Sequence, residues 1–210
     1  VDIVKDPVPI RPVVHYMMGG ISTNTKAATT LPGLFAAGEC ACVSLNGANR
    51  LGSNSLTELL VFGKAAAMSA IAHLKSVGPA NKAALKAQAD ASQARIRELF
   101  LRTDGTESMS GLRKEMMDTM EKNCGLYRTE EGLQEAVAKI VELRQRYNKV
   151  VLHDKSNVFN TDLFQVLELG SMLDCASALT VGALARKESR GAHQRLDFVE
   201  RDDKNFLRHS

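Results

Sequence analysis

The sequence predicts an α+β chain in two parts: a partial open α/β segment over residues 1–75, then an α-helical bundle over 76–190, with a tail beginning at 191. Two observations carry this. Pro7, Pro9, Pro12 and Pro32, four of the five prolines, and a dense set of glycines all precede residue 76. After that point Ala, Leu, Lys, Glu and Arg recur at helical spacing.

The elements follow in order. Arg11 to Met18 is β-branched and apolar and ends at Gly19-Gly20, so it reads as a strand entering a hairpin, with Ile21 to Thr23 leaving the turn. Leu34 to Ala37, between Gly33 and Gly38, has the pattern of a strand buried on both faces. A loop rich in Asn, Gly and Ser leads to a helix starting near Ser53 to Ser55, with Glu58 at capping-box spacing from Ser55. Leu56, Leu59, Leu60, Phe62, Ala66, Ala67, Ala70 and Ile71 make that helix apolar almost all round, and it is expected to be buried. Four further helices are predicted at about 81–101, 107–122, 129–148 and 161–187. In the third, Leu133, Val137, Ile140, Val141 and Tyr147 form one stripe, and Thr129, Glu130 and Glu131 suit its positive N-terminus. Residues 1–75 hold too few strands to close a sheet, so they are expected to end a larger domain whose earlier strands lie upstream of Val1.

Composition excludes several function classes. The charge is +3 and the hydrophobic fraction 44%, as in an ordinary globular protein able to fold on apolar packing alone. No apolar run is expected to reach the roughly 18 residues of a spanning helix, and no secretory leader pattern opens the chain, so it is expected not to be itself an integral membrane or exported protein. Trp is absent and basic residues are interleaved with acidic ones, which argues against nucleic acid as a partner. Cys40, Cys42, Cys124 and Cys175 lack the spacing of a zinc site and are read as reduced, mostly buried thiols. No metal site is expected.

The chemistry is concentrated in residues 8–63. There a strand end at Gly38-Glu39, a loop bearing Asn46, Asn49 and Arg50, and a helix N-terminus near Ser53 fall close together in sequence. In open α/β folds ligands gather at strand ends beside helix N-termini, so an anion or nucleotide pocket is predicted. Singly, a histidine before a Gly-Gly turn or an arginine in an Asn/Gly loop is more often structural. Arg50 nonetheless offers the planar donor fork that matches a carboxylate, and His15 can donate to a second one.

HYMMGG, GLFAAGE, GANRLGSNSL and ESRGAHQRLDF followed by RDD, in that order, resemble the flavoprotein subunit of the fumarate reductase and succinate dehydrogenase family. NRLGSNSL, NCGLYRT and VFNTDL are more similar to the quinol:fumarate reductase branch. The resemblance covers essentially the whole chain. It implies that residues 1–75 belong to a Rossmann-like FAD-binding domain and that FAD is the cofactor of the complete subunit. It implies that His15 binds one end of the dicarboxylate and Arg50 grips a carboxylate, as the catalytic pair. Glu39 matches an acid at the adenosine-side strand end or ribityl region of FAD, and Ser55 and Leu56 match backbone donors at the flavin's pyrimidine edge.

The implied reaction is hydride transfer from flavin N5 to fumarate, giving succinate, in anaerobic respiration. The implied partners are an iron-sulphur subunit and membrane anchor subunits on the cytoplasmic face of the inner membrane. The family's GxGxxG fingerprint is not found, and it, the flavin-linking histidine and the proton-delivering arginine are expected upstream of Val1. The chain is thus read as a C-terminal fragment, inactive alone. The alternatives are a succinate dehydrogenase flavoprotein fragment and a non-catalytic helical assembly or docking module. Ser189, Arg190, His193, Arg195 and Asp197 are expected to dock the bundle on the flavin domain through ion pairs.

Overall fold

A computed structural model describes residues 2–10 and 14–210, so the Arg11–Val13 portion of the first predicted strand lies outside the described residues. The chain divides into two compact units, Val1–Ser76 and Val77–Ser210.

In the first unit β1 (Ile21–Ser22) pairs in parallel with β2 (Ala41–Cys42), Ile21 opposite Ala41 and Ser22 opposite Cys42. The predicted hairpin is therefore wrong. Gly19 and Gly20 have φ of +96° and +118°, and they turn the chain so that Ile21 N–H donates to the Cys40 carbonyl at 2.9 Å. Residues 14–18 run as irregular backbone, held where Met17 N–H donates to Glu39 Oε1 at 3.0 Å. The expected buried strand at Leu34–Ala37 is reduced to one antiparallel bridge, Ala28 with Phe35, and Leu34 is exposed. Four residues between two left-handed glycines, Gly33 and Gly38, are too short to extend further.

The helix α1 (Asn54–Ser76) begins where the sequence places it. It is not buried as expected: among its residues only Glu58 is, while Leu56, Leu60 and Leu74 are exposed. Its apolar residues wrap the helix on several sides, and the pieces of the first unit cover one.

The second unit is a helical bundle. The helices α2 (Lys82–Leu101), α3 (Met109–Cys124), α4 (Glu130–Tyr147) and α5 (Thr161–Ala185) follow the predicted spans to within about two residues. Each starts at a side-chain cap: Asn81, Ser108, Thr129 and Asn160 accept from the N–H of Ala84, Gly111, Gly132 and Leu163. α3, α4 and α5 pack on one another around Leu112, Met116, Ile140, Leu143, Val166, Leu169 and Leu173, and α2 joins that core through Leu99. Burial of each such side chain contributes about 1.5–3 kcal/mol. The face that α4 buries is Leu133, Ala136, Ile140 and Leu143, whereas Val141, assigned to the stripe from sequence, is 48% exposed. The i, i+3, i+7, i+10 series is the narrower seam that two neighbouring helices can cover.

Arg146 stitches the bundle. It pairs with Glu107 at 2.8 and 2.9 Å and with Glu115 at 2.8 Å, and reaches Glu142 one turn back at 3.0 Å. The guanidinium, with Lys139, holds the Glu115 carboxyl down at about 2.

β3 (Tyr127–Arg128), between α3 and α4, pairs in parallel with β4 (Gln194–Arg195), and α6 (Asp203–Phe206) closes the chain. The polar motif at 188–197 makes its ion pairs within this same unit. Arg195, 1% exposed, bonds Asp197 and Glu130, and Glu188, wholly buried, bonds Arg186 and Arg190.

Two further expectations are corrected. α1 and α5 are each long and apolar enough to cross a bilayer by length and composition, with mean hydropathy 1.3, because isolated polar residues interrupt the run without lowering the average enough. α5 buries Leu169, Leu173 and Ala176 in the bundle core. Only Cys124 among the cysteines is buried; Cys40 and Cys175 are exposed and Cys42 is half-buried, because the loops and helix face that carry them are uncovered. Among the described residues no group of three potential metal ligands occurs.

Candidate functional site

Three segments of the first unit converge. The first is His15 to Met17, fixed to Glu39 by the Met17 N–H bond. The second is the Gly38-Glu39 turn. The third is the glycine-rich loop leading into α1, tied to that helix by Asn46 Nδ2 donating to the buried Glu58 carboxylate at 2.6 Å.

Arg50 lies at the meeting point. Its Cζ sits 4.5 Å from the centre of the Tyr16 ring, a cation–π distance. Its Nη1 donates to the Leu51 carbonyl at a long 3.4 Å. Among the described residues, Arg50 Nε and Asn46 Oδ1 are buried without a hydrogen-bond partner. A buried donor left in that state costs about 1–3 kcal/mol, which an incoming acceptor would recover.

His15 is exposed, and its link to Arg50 runs through Tyr16, the next residue in the chain. Glu39 is exposed, with one carboxylate oxygen taken by Met17. Ser55 and Leu56 lie in the first turn of α1, where Leu56 N–H donates back to the Ser53 carbonyl at 3.2 Å. Ser53 has φ +65°, the left-handed conformation that turns the loop into the helix. No acidic side chain occupies that first turn, so the positive end of α1 has no neutralising carboxylate of its own there. Gly47 and Gly52 in the same loop face open space.

The structure thus brings Arg50, the His15–Met17 segment and Glu39 together, and sets Ser55 and Leu56 at the helix start that follows Arg50. Sequence reasoning missed Tyr16 and Glu58. Tyr16 follows His15 in HYMMGG, where nothing in the sequence marks a stacking contact. The spacing of Glu58, the one acid in α1, from Ser55 fits a capping box, but its side chain is buried beneath the loop and bonds Asn46. Burial and the Glu58 and Glu39 carboxylates push the Tyr16 phenol above its ordinary pKa, against the lowering effect of Arg50.

Comparison with known proteins identifies the setting. Residues 1–56 match the family model for an FAD binding domain, and residues 113–210 match that for the fumarate reductase flavoprotein C-terminus. The chain is 52% identical over 212 residues to a fumarate reductase flavoprotein subunit of a Serratia species, covering all of this chain and 35% of that protein. The chain belongs to the fumarate reductase and succinate dehydrogenase flavoprotein family. Against a succinate dehydrogenase flavoprotein subunit of Rickettsia bellii the identity of this flavoprotein-family chain is 40% over 226 residues, covering 100% of it and 37% of the relative. An Escherichia coli quinol fumarate reductase structure superposes with a TM-score of 0.94 at 50% identity, covering all of this chain and 36% of that one. The flavoprotein-family chain therefore spans about a third of the length of the curated relatives it matches. Its FAD-domain match ends at Leu56, so the converged residues 15–56 fall inside it.

Proposed function

We propose that this chain works as part of the flavoprotein subunit that reduces fumarate to succinate in anaerobic respiration, and that it is inactive without the remainder of that subunit. The observation that carries this reading is the Arg50 guanidinium, held against Tyr16 beside His15 with a buried Nε that lacks an acceptor among the described residues. Fumarate is a planar dianion. Arg50 can meet one carboxylate with two parallel charge-assisted bonds, each worth about 1.5–3 kcal/mol, and His15 can donate to the other, so that the two fix the alkene in one orientation.

FAD fits the remaining groups and supplies the hydride chemistry when bound. Ser55 and Leu56 present the N-terminus of α1, which favours negative charge placed beside it by about 1–2 kcal/mol in a partly buried setting. Glu39 is assigned to the ribose or ribityl side, with Met17 fixing its carboxylate. The exposed apolar face of α1 would be covered by the rest of the FAD domain. The names of the relatives support assembly into a quinol-linked respiratory complex. We assign this chain an iron-sulphur subunit and membrane anchor subunits as partners, on the cytoplasmic face of the inner membrane.

The test is Arg50→Gln and Arg50→Lys in the complete subunit. Flavin content is expected to stay at the wild-type level while fumarate turnover with a reduced dye falls by about a hundredfold or more, since the clamp acts where charge develops. Turnover within tenfold of wild type would overturn the assignment. Assay of succinate oxidation by the same preparation sets the favoured direction.

A further inference from the structure

Arg50 has to satisfy two demands that conflict for most charged side chains. It must be held in one orientation, and its donors and full charge must remain available. A carboxylate partner would orient it but would occupy two N–H groups and offset the charge. An aromatic face does otherwise: it attracts the cation through the ring quadrupole and leaves every in-plane donor unengaged. The contacts of Arg50 have this second form. Its guanidinium carbon stands 4.5 Å from the Tyr16 ring centre; among the described residues its one hydrogen bond to protein is the 3.4 Å contact with the neighbouring Leu51 carbonyl, and Nε is buried without a partner. The acids in this region are engaged elsewhere, Glu58 with Asn46 and Glu39 with Met17 N–H.

We propose that Tyr16 is the positioning residue for Arg50: its ring is the platform that fixes the guanidinium plane and turns the free donor edge toward a dicarboxylate. The inference rests on the reading of Arg50 given above. It also assigns a purpose to the adjacency of His15 and Tyr16, since one segment then carries a substrate donor and the support for the other. The two carboxylate-binding groups are spaced by a single peptide unit and a stack, not by two independently mobile loops. The raised phenol pKa keeps the ring uncharged at neutral pH, so no phenolate pairs with Arg50.

The experiment is fumarate binding and turnover by the complete flavin-loaded subunit, followed by flavin absorbance, in a series at position 16. Tyr16→Phe keeps the ring, and Kd for fumarate is expected within about threefold of wild type; Tyr16→Leu removes it, and Kd and KM are expected to rise about tenfold at unchanged flavin content. Phenylalanines with increasing ring fluorination at position 16 keep the shape and drain the quadrupole, and Kd is expected to climb stepwise with fluorine count. That gradient is what a purely steric role for the ring would not produce, and it can be read even if Tyr16→Leu does not fold. A flat fluorination series, or Tyr16→Phe as impaired as Tyr16→Leu, overturns the stacking role. The Arg50→Gln control separates the two readings: if it too leaves Kd unchanged, the assignment of Arg50 fails; if it weakens binding while the position 16 series is flat, only the role of Tyr16 does.

Discussion

Arg128 Nη1 stands 3.0 Å from His193 Nδ1, and because a guanidinium only donates, that ring nitrogen must offer its lone pair. The other ring nitrogen, Nε2, lies 3.0 Å from the Arg186 carbonyl and must carry the proton. His193 is therefore a neutral imidazole of defined tautomer, joining β3 to the C-terminal end of α5. Burial, with Arg128, Arg195 and Arg186 around it, pushes its pKa below the ordinary value, while the Arg186 carbonyl opposes this.

The sign of the resulting pH dependence is fixed. A histidine whose folded pKa is lowered takes up its proton more readily in the unfolded chain, so its contribution to stability is present above about pH 6.5 and is lost as pH falls below that. We expect the His193 ring signals in NMR to titrate below the free-histidine midpoint and to show the Nε2–H tautomer at pH 7. A midpoint at or above 6.5 would contradict the lowered pKa, and an Nδ1–H ring at pH 7 would contradict the tautomer.

Arg195 gives the acid limb. Its Nε and Nη2 hold the two oxygens of Asp197 at 2.7 and 2.8 Å, and Nη2 also reaches Glu130 Oε2 at 2.7 Å. The hydrogen bonds from Arg195 hold the Asp197 and Glu130 carboxyls below their ordinary values. Depressed carboxyl pKa values stabilise the fold above about pH 4.5 and lose that effect as pH falls through the folded values. Asp197→Asn is expected to lower the unfolding midpoint at pH 7 and to do so by less at pH 3, with the loss vanishing only as the pH falls on through the folded Asp197 value. An equal loss at both pH values would sink the linkage.

How much of this was legible in sequence depends on the distance over which each signal acts. The helices of the second unit were, because a 3.6-residue period and a cap such as Thr129 are local. The strands were not: each pair is two residues long, and Tyr127–Arg128 finds Gln194–Arg195 across the whole of α4 and α5, so neither alternation nor turn chemistry marks them. α1 was placed correctly but its burial was not, since burial depends on what covers a helix and not on its own composition. His15 and Arg50 are assigned from motif and residue chemistry, which are likewise local. Tyr16 was missed because stacking follows from how a loop folds back, which its own neighbours do not encode. Glu58 was misread because the capping-box spacing fits a helix start whether or not the side chain turns that way.

Gly20 is a second test of the first unit. With φ +118°, its backbone suits glycine, and a Cβ there would stand 2.5 Å from the Cys40 carbonyl oxygen, the same oxygen that accepts from Ile21 N–H. Relief requires moving backbone, so β1–β2 pairing should be lost. Gly20→Ala in the complete subunit is expected to cost about 1–3 kcal/mol for the strained conformation alone, visible as reduced flavin retention and a lower thermal midpoint. Wild-type flavin retention would show that the turn tolerates a side chain.

Two glycines in α5 should respond to one substitution with opposite signs. Replacing an interior helical glycine by alanine ordinarily stabilises by about 1 kcal/mol, because alanine loses less backbone freedom on folding. At Gly182 a Cβ meets nothing within 4 Å, so that gain is expected in full. At Gly170 the Cβ would stand 2.9 Å from the Tyr147 hydroxyl and 3.0 Å from its ring carbon. That hydroxyl donates to the Val166 carbonyl at 2.9 Å across the α4–α5 seam, so the phenol cannot withdraw without giving up the bond and its packing. Losing the bond costs about 0.5–1.5 kcal/mol and overpacking about 1–3 kcal/mol, together more than the helical gain. Urea unfolding of the 210-residue chain should thus find Gly182→Ala more stable than wild type and Gly170→Ala less stable by about 1–2 kcal/mol. If both variants gained stability, the Tyr147 hydroxyl would not be pinned as described, and α4 and α5 would pack with more slack than their buried seam implies.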